Sequence, residues 1–120
     1  MVLLDTNVYI YLANGTIERG AIMLHDIAYA SVTKIEALGF TDIKINELLL
    51  LNALFAESNN LALTDNVIDK AVTLRQSRRM SLGDAIVAAT ALEHDCVLWT
   101  ANDDDFKHIE GLKLFNPLKS

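Results

Sequence analysis

Cysteine and proline are almost absent, with one of each in 120 residues. The single cysteine, Cys96, excludes an internal disulfide. It lies in the apolar run CVLWT and reads as a small buried hydrophobe. No apolar run approaches the roughly 20 residues of a membrane-spanning helix. The opening MVLLDTNVYIYLAN is apolar, but it has no basic flank and is interrupted by Asp5 and Asn7, which does not suit a signal peptide. A cytoplasmic protein without membrane attachment is expected. Positive charge is scarce too. Ten Lys and Arg stand against 16 Asp and Glu, for a net charge of −6, which argues against broad, nonspecific nucleic-acid binding. The three histidines, His25, His94 and His108, lie outside any ligand-like cluster and are expected on surfaces. There is no Cys/His ligand set, Gly-rich phosphate loop, linker, repeat or low-complexity stretch.

What is present is apolar. Hydrophobic residues make up 52% of the chain, enough for the core of one domain spanning residues 1–120. The fraction is high for a domain this small, so part of that surface is expected to be buried in an oligomer or against a partner.

Short apolar runs alternate with helical patterns. Strands are expected at Val2–Leu4, Ile27–Ala30, Leu61–Leu63, Cys96–Thr100 and Leu112–Phe115. Helices are expected at Thr6–Ala13, Ile17–His25, a segment capped by Ser31 or Thr33, Ile45–Glu57, Thr64–Arg75 and Ser81–His94. In Thr64–Arg75 the inward face is Val67, Ile68, Ala71, Val72 and Leu74. Leu48–Leu51 point all round their helix, which should therefore be covered on most sides. This alternation specifies an α/β fold with a mostly parallel central sheet of four to five strands and helices on both faces.

Four acids stand out: Asp5 in VLLDTN, Glu36 in SVTKIEAL, Asp84 in SLGDAIVAA and Asp105 in WTANDDDF. Asp5 and the NDDD loop lie just past strands, where open α/β sheets hold ligands. Glu36 and Asp84 are expected in the first turns of helices facing the same edge. Each has an ordinary structural reading. Ser81-x-x-Asp84 and Thr33-x-x-Glu36 fit capping boxes, Asp5 fits a helix cap, and Asp103–Asp105 fit a solvated loop. Together they say more. Two unit charges 4 Å apart repel by about 4 kcal/mol at an effective dielectric near 20. Carboxylates gathered on one edge therefore raise one another's pKa or recruit a cation. All-oxygen ligation suits Mg²⁺ or Mn²⁺ rather than zinc. One such ion would bring the net charge of −6 to −4, and two to −2.

The segments LLDTNVYIYL, SVTKIEALGF, SLGDAIVAATAL and LWTANDDDFKHIEGLKLFNP, in this order, resemble the PIN-domain nucleases, and within them the VapC-type toxins of bacterial and archaeal toxin–antitoxin pairs. The resemblance runs nearly end to end. It implies a PIN-like three-layer sandwich and metal-dependent cleavage of RNA phosphodiester bonds, with Mg²⁺ or Mn²⁺ as cofactor. It assigns metal-binding, catalytic roles to Asp5, Glu36 and Asp84, and the fourth place to Asp105, with Asp103 as competitor. Thr6, Asn7 and Thr100 would hold the carboxylates by hydrogen bonds, and Asn102 would orient the loop. Ordinary capping explains Thr100 equally well.

The resemblance also implies a homodimer and an inhibiting antitoxin whose tail lies across the active-site groove; DNA would be met only through the antitoxin. The apolar Ile45–Ala56 helix, with Tyr9, Tyr11 and Leu12, could supply these surfaces, or could be core. For the RNA substrate, Arg75, Arg78 and Arg79 form the one dense basic cluster. It leads into the Asp84 helix and could contact phosphate, or be a solvated loop or an antitoxin contact. Lys34 lies nearer to Glu36. Two rival readings remain: a PIN nuclease of RNA processing outside any toxin pair, and a non-catalytic PIN-fold binding module. A phosphatase is disfavoured, because DTN stands where its Asp-x-Asp motif would be.

Overall fold

The computed structural model describes residues 1–39 and 41–119. Phe40, the last residue of the SVTKIEALGF segment, lies outside the described residues. The strands are β1 (Val2–Leu4), β2 (Ile27–Ala30), β3 (Asn59–Leu61), β4 (Val97–Trp99) and β5 (Lys113–Phe115). The α-helices are α1 (Thr6–Ala13), α2 (Ser31–Leu38), α3 (Ile45–Ala56), α4 (Asp65–Ser77) and α5 (Leu82–His94), with short 3₁₀ turns at Arg19–Ile22 and Asp103–Asp105.

The five strands form one sheet in the order β3-β2-β1-β4-β5. Every pairing is parallel, so the sheet is wholly rather than mostly parallel. The chain moves outward from β1 to β2 and β3, then returns to the other side of β1 for β4 and β5. The order therefore reverses between β1 and β4, and their carboxyl ends flank the crevice where such sheets bind ligands.

Alternation along the strands divides the core. Val2, Leu4, Ile27, Tyr29 and Trp99 point to the side of α1 and α3, among Val8, Tyr9, Leu12, Leu54 and Phe55. Leu3, Ala28, Ala30 and Leu98 point to the side of α5, among Ile86, Val87, Ala88 and Ala91. Two-sided burial explains why the inner strands read as continuous apolar runs. Outside α5, Val67 and Ala71 of α4 pack on Ala85 and Ala89, where small side chains permit close approach. The architecture is the expected α/β three-layer sandwich.

Several local expectations fail for physical reasons. Ile17–His25 is not a helix. Only Arg19–Ile22 coils, as a 3₁₀ turn, with Ile17 and Ile22 as its buried anchors. The third strand is Asn59–Leu61, not Leu61–Leu63, because an edge strand pairs on one side only and tolerates the exposed Asn59 and Asn60. In α4, Ile68 and Val72 are 41% and 50% exposed rather than inward, since the narrow α5 surface covers Val67 and Ala71 and, in part, Leu74. The α3 helix is open on one side, with Ile45 and Leu49 exposed. Tyr9 and Leu12 belong to the core, where Tyr9 stacks on Phe55 at 4.4 Å, and so are not docking surface. His108 is half-buried rather than a surface residue. Neither Ser31 nor Thr33 caps α2. Ala30 occupies the cap position with no side-chain bond, so the Thr33-x-x-Glu36 box does not form.

Candidate functional site

The end of β1 delivers Asp5 to the switch point, where its backbone N–H donates to Trp99 O at 2.9 Å. Asp5 is the N-cap of α1 and accepts from Thr6 N–H at 2.9 Å. Its other oxygen accepts from Thr100 Oγ1 at 2.8 Å and from Asn7 Nδ2 at 3.4 Å. Asn7 Oδ1 in turn accepts from Ala101 N–H at 3.1 Å, and Thr100 Oγ1 accepts from Asn102 N–H at 3.1 Å. Thr6, Asn7, Thr100 and Asn102 thus tie the ends of β1 and β4 around one carboxylate. Asp5 is only 6% exposed. Burial is the largest influence on its pKa and raises it; the bonds from Thr100 and Thr6 oppose that, and the charges of Asp84 and Glu36 add to it.

Glu36 lies in the second turn of α2, not the first. Its Oε1 accepts from Thr6 Oγ1 at 2.7 Å, so one residue of α1 touches both Asp5 and Glu36. Thr33, fully buried one turn earlier, places its Oγ1 3.5 Å from the same Thr6 hydroxyl. Asp84 lies in the first turn of α5, as expected, and Ser81 caps that helix by accepting from Asp84 N–H at 3.1 Å. Burial again leads in raising the Asp84 pKa. The charge of Asp105 comes next, the Ser81 hydroxyl lowers it, and Glu36 adds a smaller rise. Asp5, Glu36, Asp84 and Asp105 therefore share one electrostatic environment.

Asp103 does not belong to that environment. It accepts from Lys119 Nζ at 3.1 and 3.2 Å and from Asn116 Nδ2 at 3.2 Å. Those bonds, Lys119 first, hold its pKa below the usual carboxylate value. Asp105, by contrast, has no lysine partner among the described residues, its charge acts on Asp84, and its side chain is exposed.

Among the described residues, no Lys, Arg or His forms an ion pair with Asp5, Glu36, Asp84 or Asp105; the pairs involve Glu93, Asp104, Asp95 and Asp103. Nor do three Asp, Glu, His or Cys side chains among them stand close enough to form a ready ligand cluster. Arg75, Arg78 and Arg79 line their own shallow depression of about 410 Å³ at the turn before α5. Lys34 is exposed on α2. Neither the arginines nor Lys34 contacts the acids.

Sequence reasoning missed three participants. From beyond β5, Lys119 pairs with Asp103 and Asn116 donates to it, and no local pattern marks them. Gly83 did carry a signal: a glycine inside a helical pattern costs roughly 0.5–1 kcal/mol relative to alanine and so calls for a reason. A Cβ built there would stand 2.8 Å from Glu36 Oε2.

Solved structures with the same fold cover nearly the whole chain. A toxin–antitoxin complex from Klebsiella pneumoniae is 27% identical, with 100% of each chain covered and a TM-score of 0.82. VapBC2 from Rickettsia felis, bound to a promoter DNA fragment, is 21% identical over 97% of this chain and 98% of the other, with a TM-score of 0.83. DNA-bound VapBC from Salmonella typhimurium is 18% identical over 98% and 99%, also at 0.83. No curated protein matches the sequence. The family model of the PIN domain matches residues 2–112, and the chain belongs to the PIN domain family.

Proposed function

We propose that residues 1–120 act as one nuclease domain, a metal-dependent endoribonuclease that is the toxin of a toxin–antitoxin pair. The observation that carries this reading is the set of carboxylates at the sheet's switch point, of which Asp5 and Glu36 accept from hydroxyl and amide donors and none, among the described residues, pairs with Lys, Arg or His. Family membership and full-length likeness to toxin–antitoxin complexes support the same reading.

The donor chemistry fits a hard divalent cation. The four acids offer only oxygen ligands, their mutual repulsion is uncompensated, and burial raises the pKa of two of them. Asp5, Glu36, Asp84 and Asp105 would hold Mg²⁺ or Mn²⁺. When bound, such an ion supplies Lewis acidity at the phosphate and makes water easier to deprotonate. Thr100, Thr6 and Asn7 fix the Asp5 carboxylate, and Thr6 also fixes Glu36, so the acids stay aligned as an RNA phosphate approaches. One of the carboxylates would take the proton of the attacking water. Arg78 and Arg79 in the turn before α5, and Lys34 on α2, are the cations proposed to meet RNA phosphates.

An antitoxin is the proposed partner, and DNA is reached only through it. The exposed apolar residues Ile45 and Leu49 of α3 and Ile68 and Val72 of α4 offer surface for that partner and for a second copy. Among the described residues no helix is long and apolar enough to cross a membrane, in keeping with the proposed cytoplasmic location.

Purified protein incubated with RNA should cleave it in Mg²⁺ or Mn²⁺ and not in chelator. Asp5→Ala and Asp84→Ala should each lower the rate by about 10²–10⁴-fold. Cleavage that survives both substitutions would sink the assigned site.

A further inference from the structure

Gly83 is the second residue of α5, a place where alanine would favour the helix more. Its backbone does not explain the choice: the glycines with positive φ are Gly15 and Gly111. Space does. A Cβ at Gly83 would stand 2.8 Å from Glu36 Oε2, 3.4 Å from its Cδ and 3.5 Å from Oε1. The Glu36 carboxylate therefore rests against the bare backbone of α5, next in sequence to Asp84, while Thr6 holds its Oε1 at 2.7 Å.

We propose that Gly83 is a positioning residue: its missing side chain admits the Glu36 carboxylate to the start of α5, beside Asp84. The proposal rests on the reading of Glu36 and Asp84 as members of one ion-binding set. The positive end of the helix dipole offsets part of the repulsion between the two carboxylates there. A methyl group would meet the far end of a flexible, exposed side chain. The helix would keep its place and Glu36 would swing out, losing the Thr6 bond and its position near Asp84. A residue that served packing alone would do the reverse, costing stability when replaced and leaving Glu36 where it is.

The test is Gly83→Ala on the full chain, read four ways beside Glu36→Asp and the double variant. The Tm of Gly83→Ala should stay level or rise, because alanine is the better helix former. The ¹³C resonance of the Glu36 carboxyl, assigned by its loss in Glu36→Gln, should move in metal-free Gly83→Ala. Mn²⁺ affinity by calorimetry and RNA cleavage should each fall by about 10–100-fold, the range for groups that orient metal ligands. Glu36→Asp withdraws the carboxylate from the contact, so adding Gly83→Ala to it should cost little more. An unmoved Glu36 resonance overturns the proposal. So does unchanged Mn²⁺ affinity in Gly83→Ala when Asp84→Ala abolishes binding, or a lowered Tm with equal losses in both backgrounds. Wild-type protein that neither binds Mn²⁺ nor cleaves RNA would bring down the functional reading instead, and the Glu36 resonance would still decide the placement.

Discussion

Two groups of acids are treated oppositely by the fold. Asp103 and Asp104 are matched by Lys119 and Lys107, as Asp95 and Glu93 are by Lys113 and Lys70. Asp5, Glu36, Asp84 and Asp105 receive hydroxyl and amide donors or nothing, and no lysine or arginine among the described residues. The division runs through a single turn of chain: Asp103 is neutralised and Asp105, two residues on, raises the pKa of Asp84. Selection for stability alone gives no reason to leave carboxylates that raise one another's pKa without a cationic partner.

The sharpest way to break this division is to neutralise one member of each group. Asp105→Asn should lower RNA cleavage by about 10–100-fold, because it removes a charge that acts on Asp84. Asp103→Asn keeps an acceptor for Asn116 and Lys119 and should leave cleavage within about twofold, a change of less than roughly 0.5 kcal/mol in the barrier. Steady-state rates at saturating Mn²⁺ decide between them. Equal losses would merge the two groups.

The sequence made one side of this division readable and hid the other. Asp5 and Asp84 were legible because each follows a strong local signal, the end of a buried strand and a serine cap. The sandwich was legible because two-sided burial writes continuous apolar runs into β1, β2 and β4. The ion pair that sets Asp103 apart from Asp105 was not, because Asn116 and Lys119 lie beyond β5 and reach back only through the tertiary fold. The start of α2 misled, since Ser31 and Thr33 look like caps while Thr33 is buried beside Thr6 and the helix begins without a side-chain cap. Likewise the helical period of α4 correctly gave an apolar stripe, but period alone does not say how much of the stripe α5 covers. Glu36 was found by its motif, and its contact with Gly83 joins two distant segments that no local spacing relates.

The two groups also predict opposite pH behaviour. The pKa values of Asp5 and Asp84 are raised in the folded chain. Between the ordinary carboxylate range and those raised values the folded state holds more protons than the unfolded one, so stability falls as pH rises through that window. For Asp103 the folded value is lowered; its contribution is present at neutral pH and is lost only as pH falls below the ordinary carboxylate value. Metal-free protein should therefore melt higher at mildly acidic pH than at pH 7. Asp84→Asn should reduce that gain and raise the Tm at pH 7. Mn²⁺ at 100 times its Kd should add about 2.7 kcal/mol of stability in wild type and much less in Asp84→Asn. A Tm that rises steadily with pH just above the ordinary carboxylate range in metal-free wild type would contradict the raised pKa values.

The smallest expected effect tests the neutralised group by itself. Lys119 is 63% exposed on its side chain and Asp103 28%, so their pair is solvated and screened. Exposed pairs of this kind contribute about 0–1 kcal/mol, and Asn116 continues to bond Asp103 when the lysine is gone. Lys119→Ala should therefore shift the Tm only slightly, by an amount that shrinks further in high salt. Cleavage should stay close to wild type, because the freed Asp103 charge faces solvent and is not among the influences on Asp84. A loss of cleavage approaching that of Asp105→Asn would mean that the lysine restrains the Asp103–Asp105 turn in its working position. The neutralised acids would then be the support on which the uncompensated ones depend, and the boundary between the groups would mark a mechanical coupling rather than a separation of charge.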